Sequence, residues 1–87
     1  MKYRKKPVEI EAIKFTRDNF DEVVSFTKGA AHTLQIERTP YGKAYCIIDT
    51  LEGPMRSTEG DFIIRGVNGE YYACKPDVFD KTYELVE

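Results

Sequence analysis

His32, Cys46 and Cys74 are the side chains that could act as base, nucleophile or soft metal ligand near neutral pH. They do not form a pattern. A zinc site needs three or four converging ligands, and here a single histidine has no cysteine or carboxylate partners at ligand spacing. A catalytic triad needs a nucleophile, a base and an orienting group, and His32 lies in a strand-like run beside no evident nucleophile. Cys74 is followed by Lys75, whose ammonium would favour the thiolate, but neighbours on a strand point to opposite faces. Asp77 and Asp80 are spaced to share one side of a helical turn, where capping and solvation account for both. Gly66-Val67-Asn68-Gly69 lacks the Lys-Ser/Thr pair and following helix of a phosphate loop. The residues therefore call for no metal and no cofactor, and point away from an enzyme.

What remains is a polar and aromatic set around Gly60–Pro76: Asp61, Arg65, Tyr71, Tyr72 and Lys75. Arg and Tyr are favoured where proteins make contacts. Of these, Asp61, Arg65, Tyr72 and Lys75 are the candidate binding residues. A second possibility uses the basic opening, Lys2, Arg4, Lys5 and Lys6 with Tyr3, as a nucleic-acid contact. The same opening can equally be a solvated end, or meet the acidic Asp77, Asp80, Glu84 and Glu87 of the other terminus.

The elements that must position these residues follow from local pattern. Asn68-Gly69 between Phe62-Ile63-Ile64-Arg65 and Tyr71-Tyr72-Ala73-Cys74 predicts a β-hairpin with a type I′ turn, closed by Pro76. Val8, Ile10 and Ala12 alternate with Glu9 and Glu11, predicting a strand; Ile13 and Phe15 fall on its opposite face. Phe20, Val23, Val24 and Thr27 form one apolar stripe, predicting a helix over about 18–28, capped by Thr16 or Asp18 and stopped at Gly29. His32–Glu37 alternates with Leu34 and Ile36 inward, and Ala44–Asp49 is apolar enough for a strand buried on both faces. Met55–Ser57 predicts a short edge strand, Asp77–Tyr83 one helical turn capped by Asp77, and Tyr83–Val86 a final strand. The sum is one α+β domain over 1–87, a small, strongly bent, mainly antiparallel sheet or partial barrel with one helix packed on it.

Composition sets the limits. Six Tyr and five Phe without Trp give a small core much area per residue. A chain of 87 residues nonetheless buries only about 60–65% of its unfolded surface, so a partner subunit or ligand would help it. A formal charge of −2 creates no global attraction for nucleic acid, and no apolar span is long enough for a membrane. Two cysteines without a Cys-x-x-Cys fit free thiols in a cytoplasmic protein, a disulfide arising only between neighbouring strands in an oxidising compartment.

Tyr3-Arg4-Lys5-Lys6-Pro7-Val8-Glu9-Ile10-Glu11-Ala12, Thr50-Leu51-Glu52-Gly53, Gly60-Asp61-Phe62-Ile63-Ile64-Arg65-Gly66-Val67-Asn68-Gly69-Glu70-Tyr71, Cys74-Lys75-Pro76-Asp77-Val78-Phe79 and Thr82-Tyr83 resemble a family of small bacteriophage and prophage proteins. The resemblance leaves out about residues 17–45. The family often carries Pro where this chain has Glu59, and again at Ala73. No catalytic residues come with it. It implies a phage or prophage origin and action in the cytoplasm of a bacterial host. The expectation is a non-enzymatic binding protein, a homodimer that contacts a host protein or small ligand. The alternatives are a nucleic-acid-binding accessory protein and, least favoured, a small enzyme.

Overall fold

The computed structural model describes residues 1–3 and 8–86. In chain order it holds β1 (Glu11–Lys14), α1 (Phe20–Phe26), β2 (Ala31–Ile36), β3 (Ala44–Thr50), β4 (Gly53–Thr58), β5 (Phe62–Arg65), β6 (Tyr71–Cys74) and α2 (Pro76–Thr82). The fold is α+β and every strand pairing is antiparallel. The strands divide into two open three-stranded sheets, β1-β5-β6 and β2-β3-β4. Two short helices are present where one was expected.

The β5–β6 hairpin forms, with a different turn. The Gly66 N–H donates to the Glu70 carbonyl at 2.7 Å and the Gly69 N–H to the Gly66 carbonyl at 3.0 Å. Only Gly69 has positive φ (79°); Asn68 does not. The connection is therefore a three-residue loop, a turn followed by a left-handed glycine, rather than a type I′ turn. Gly66 leaves room for the Glu70 carboxylate, which folds back beside it to accept the Asn68 N–H at 3.0 Å and which a Cβ at Gly66 would displace.

Register assigns the two faces of this hairpin, because directly opposed residues share a face. Ile63, Arg65, Tyr71 and Ala73 look inward toward a core of Phe15, Val23, Ala31, Ala44, Cys46 and Ile48. Phe62, Ile64, Tyr72 and Cys74 share the opposite face, where α2 packs on Phe62. The Phe79 ring stacks on Phe62 with centroids 3.9 Å apart, and Tyr83 closes on Phe79 at 5.1 Å. Tyr83 thus ends the α2 layer, and no strand forms over Tyr83–Val86. Lys75 is the α2 N-cap and Pro76 its first residue; Asp77 sits in the first turn without capping.

Other boundaries move for identifiable reasons. The α1 N-cap is Asn19, whose side chain accepts from the Thr16 N–H at 2.8 Å and donates to the Lys14 carbonyl at 2.7 Å. The helix closes on Lys28 and Gly29, both at positive φ. Thr27 welds that end to β2, donating to the Val23 carbonyl at 2.9 Å while accepting from the Ala31 N–H at 2.9 Å. In β2, Ala31 opposes Ile48 and Ile36 opposes Ala44, so one extra residue is accommodated between them. Thr33, at φ 61°, marks that bulge. Ile36 lies on the Ala44 side but at the sheet margin, and is 49% exposed rather than covered as its alternation suggested. In β3 only the Ala44, Cys46 and Ile48 face is fully buried; Tyr45 and Ile47 are half-buried, and Arg56 lies 3.6 Å over the Tyr45 ring.

Candidate functional site

Asp61 is 4% exposed, and its polar atoms are committed to the β4–β5 turn. Its carboxylate accepts the Thr58 N–H at 3.0 Å while its own N–H donates to the Thr58 carbonyl at 3.0 Å. Lys75 Nζ approaches both carboxylate oxygens at 3.3 Å. Arg65 is equally occupied. It donates to the Phe26 carbonyl at 2.9 Å, the Tyr71 hydroxyl at 3.3 Å and Glu11 at 3.3 Å, with Phe26 and Tyr71 against its guanidinium. The Phe26 contact places a cation at the C-terminal end of α1, where the helix dipole is negative. Asp61 and Lys75 form one cluster and Arg65 another, so the four candidate residues do not converge on one ligand-sized point.

Tyr72 is the exception. Burial, then its hydroxyl contact with Tyr83 at 3.5 Å, pushes its phenol up to about 12. It lines a cleft of about 230 Å³ with Tyr71, Thr50, Leu51, Glu52 and Met55. The cleft lies where the β3–β4 tip meets β6, and two of its apolar walls are open to water: Leu51 is 83% exposed and Met55 39%. Farther along the same seam the Ala73 N–H meets the Met55 sulfur at 3.4 Å. Leu51, Glu52 and Met55 were not singled out from sequence. Their signal was a Leu-Glu pair at a turn that breaks an apolar strand, where a large apolar side chain has no core to enter.

Among the basic opening residues, Lys2 is exposed; Arg4, Lys5 and Lys6 lie outside the described residues. His32 does acquire neighbours that sequence order concealed. Its Nδ1 is 2.7 Å from the Thr33 hydroxyl and its Nε2 3.1 Å from Asp49. The His32 and Asp49 side chains are 46% and 63% exposed, so water solvates this trio. Both cysteines are free thiols. Burial, followed by the Asp61 charge, pushes Cys46 up to about 11, and the same causes raise Cys74, with Asp77 adding to them. Lys75 does not activate Cys74, since its ammonium is turned to the Asp61 carboxylate, whose charge helps to raise the thiol.

Glu59 has a distinct structural task. It accepts from Arg17 Nε at 3.1 Å and from the Ala44 N–H at 3.0 Å, and Arg17 continues to the Gly42 carbonyl at 3.2 Å. The Arg17 hydrogen bond, then that of Ala44, holds the Glu59 carboxyl down at about 2. Among the described residues no three His, Cys, Asp or Glu side chains gather as a metal site, and no helix is long and apolar enough to cross a membrane. No family model, curated protein or solved structure matches the chain.

Proposed function

We propose that this is a non-enzymatic binding protein of bacteriophage or prophage type, acting in the host cytoplasm and contacting a host protein or small ligand through the cleft of Thr50, Leu51, Glu52, Met55, Tyr71 and Tyr72. One observation carries the reading: Leu51, 83% exposed at the mouth of a cleft walled by two tyrosines. Large apolar groups beside aromatic walls are what a partner side chain or ring desolvates with most gain. Thr50, Leu51, Glu52 and Tyr71 are also among the residues that carry the phage-family resemblance. The acidic rim at Glu52 favours a neutral or cationic ligand over a polyanion, which sets the nucleic-acid alternative second.

The test is capture from host extract with wild-type protein and the Leu51→Asp and Tyr72→Ala variants, with native mass measured alongside. Leu51→Asp is solvent-facing and should fold normally, yet lose the captured protein or small molecule at least tenfold. A capture profile indifferent to both substitutions would remove the cleft from consideration. Native mass also decides the homodimer, which the same exposed leucine would support by pairing with its copy.

A further inference from the structure

The cleft of Thr50, Leu51, Glu52, Met55, Tyr71 and Tyr72 touches both faces of one strand. Tyr71 and Tyr72 are successive residues of β6, so their side chains point to opposite faces. A hollow lined by both lies against the edge of β6 rather than on either face. That edge is open, because β6 ends its sheet and β5 is its strand partner among the described residues.

The hydrogen-bonding phase of this edge follows from both sides of β5. The Phe15 N–H donates to the Asp61 carbonyl at 2.8 Å, in the register that opposes Ile13 to Ile63 and Glu11 to Arg65. Antiparallel ladders alternate, so Phe62, Ile64 and Gly66 turn their backbone groups the other way, to β6. The Gly66 N–H does so, donating to the Glu70 carbonyl at 2.7 Å. Tyr72 and Cys74, opposite Ile64 and Phe62, are therefore bonded to β5, while the N–H and C=O of Tyr71 and Ala73 point outward. The Ala73 N–H agrees, meeting the Met55 sulfur of β4 at 3.4 Å.

We propose that the ligand of this cleft is an extended segment of a partner protein that adds to the β6 edge as a further strand, an inference that rests on the cleft being the contact site. An outward N–H and C=O on Tyr71, repeated two residues on at Ala73, are complementary to the main chain of an extended peptide. A thioether is a weak acceptor on a flexible side chain, so Met55 yields the Ala73 amide to a carbonyl. Leu51 and Met55 then receive an apolar side chain of the segment. Glu52, which enters no ion pair among the described residues, receives a cation. A second folded copy is the poorer occupant. The β3–β4 tip is the facing wall of the cleft, so the β6 edges of two copies are kept apart by their own tips.

The test uses the full-length chain, isotope-labelled, and three blocked peptides: acetyl-Lys-Val-Leu-Val-Lys-amide, the same peptide N-methylated at its three central residues, and its glutamate counterpart. In the free protein the Tyr71 and Ala73 amides should exchange faster than those of Tyr72 and Cys74. The lysine peptide, at about ten times its Kd, should slow Tyr71 and Ala73 about tenfold. The methylated peptide keeps the side chains but lacks the donors, and should not bind at that concentration. The glutamate peptide should bind several-fold more weakly than the lysine one, and Glu52→Lys should reverse that preference. Equal binding of the methylated peptide, no binding by the lysine peptide, or Tyr71 and Ala73 amides as slow as Tyr72 in the free protein would overturn strand addition. So would a Glu52→Lys variant that still prefers lysine. The cleft itself fails on a different result, capture from host extract that ignores Leu51→Asp. Leu51-dependent capture together with indifference to methylation would keep the cleft and discard the strand.

Discussion

A carboxylate as buried as Asp61 has to be satisfied by its own surroundings, and its partners show which of them matter. The Thr58 N–H is held at 3.0 Å inside the turn, whereas Lys75 is 62% exposed and reaches in from solvent. Removing the acceptor strands a turn amide, so Asp61→Ala should lower unfolding free energy by about 1–3 kcal/mol in urea titration. Lys75→Met removes a largely solvated partner and should cost less than about 1 kcal/mol. A larger loss in Lys75→Met than in Asp61→Ala would mean the ion pair, not the turn, is what Asp61 serves. Glu59 gives a pH prediction with a definite sign. Its folded carboxyl is depressed to about 2 from 4.5, so its contribution is fully present above about 4.5 and fades as pH falls toward 2. Glu59→Gln should lower stability at pH 7 and flatten its decline across that acid window, read from chemical unfolding at several pH values. Neither assignment was available from sequence. Asp61, Arg65 and Lys75 were recognisable as unusual polar residues, but whether a polar side chain faces a ligand or its own backbone is decided by contacts distant in the chain, such as Arg65 with Phe26.

Elements were legible where the pattern and the local turn agreed. The β5–β6 hairpin, the α1 stripe of Phe20, Val23 and Thr27, and the mainly antiparallel α+β character followed from periodicity that tertiary packing did not oppose. Alternation did not show how far a face stays covered. In β2 Leu34 packs on the core and Ile36 opposes Ala44 on the same side, past the bulge at Thr33, but at the open sheet margin Ile36 is left 49% exposed. The final strand failed differently: Tyr83 is drawn onto the Phe79 ring and the Tyr72 hydroxyl, contacts that a strand beyond α2 could not make. Thr33 supplies the test at this scale. A β-branched residue at φ 61° is strained by roughly 1–2 kcal/mol, which glycine would relieve at the cost of about 1 kcal/mol in chain entropy. Thr33→Gly should therefore be neutral or stabilising by up to about 1 kcal/mol, while Thr58→Gly in regular β4 should destabilise. Equal losses at both positions in thermal melts would show that Thr33 is not held in the left-handed region.

For the molecule as a whole, the decisive matter is whether two open sheets behave as one cooperative body. The inner face of β3 carries Ala44, Cys46 and Ile48, all fully buried against Ile63 and Phe15 from the other sheet, so neither sheet has a core of its own. Separating the sheets exposes the same side chains that unfolding exposes, and partial opening should be as costly as global opening. The two thiols report on this directly. Cys46 is fully buried, while Cys74 is partly accessible beneath α2, a layer that rests on the Phe62–Phe79 stack rather than on the shared core. Thiol labelling of the native protein at mildly alkaline pH should modify Cys74 first, through local release of α2. Cys46 should follow about a thousandfold more slowly, a ratio equivalent to about 4 kcal/mol of opening free energy. Denaturant too dilute to unfold the chain should accelerate Cys46 with the slope of global unfolding and Cys74 with a much shallower one. If Cys46 instead responds with the shallow slope, the sheets separate without unfolding. The cleft at Leu51 would then be the rim of a moving seam, and ligands of that cleft should slow Cys46 labelling without changing global stability beyond mass action.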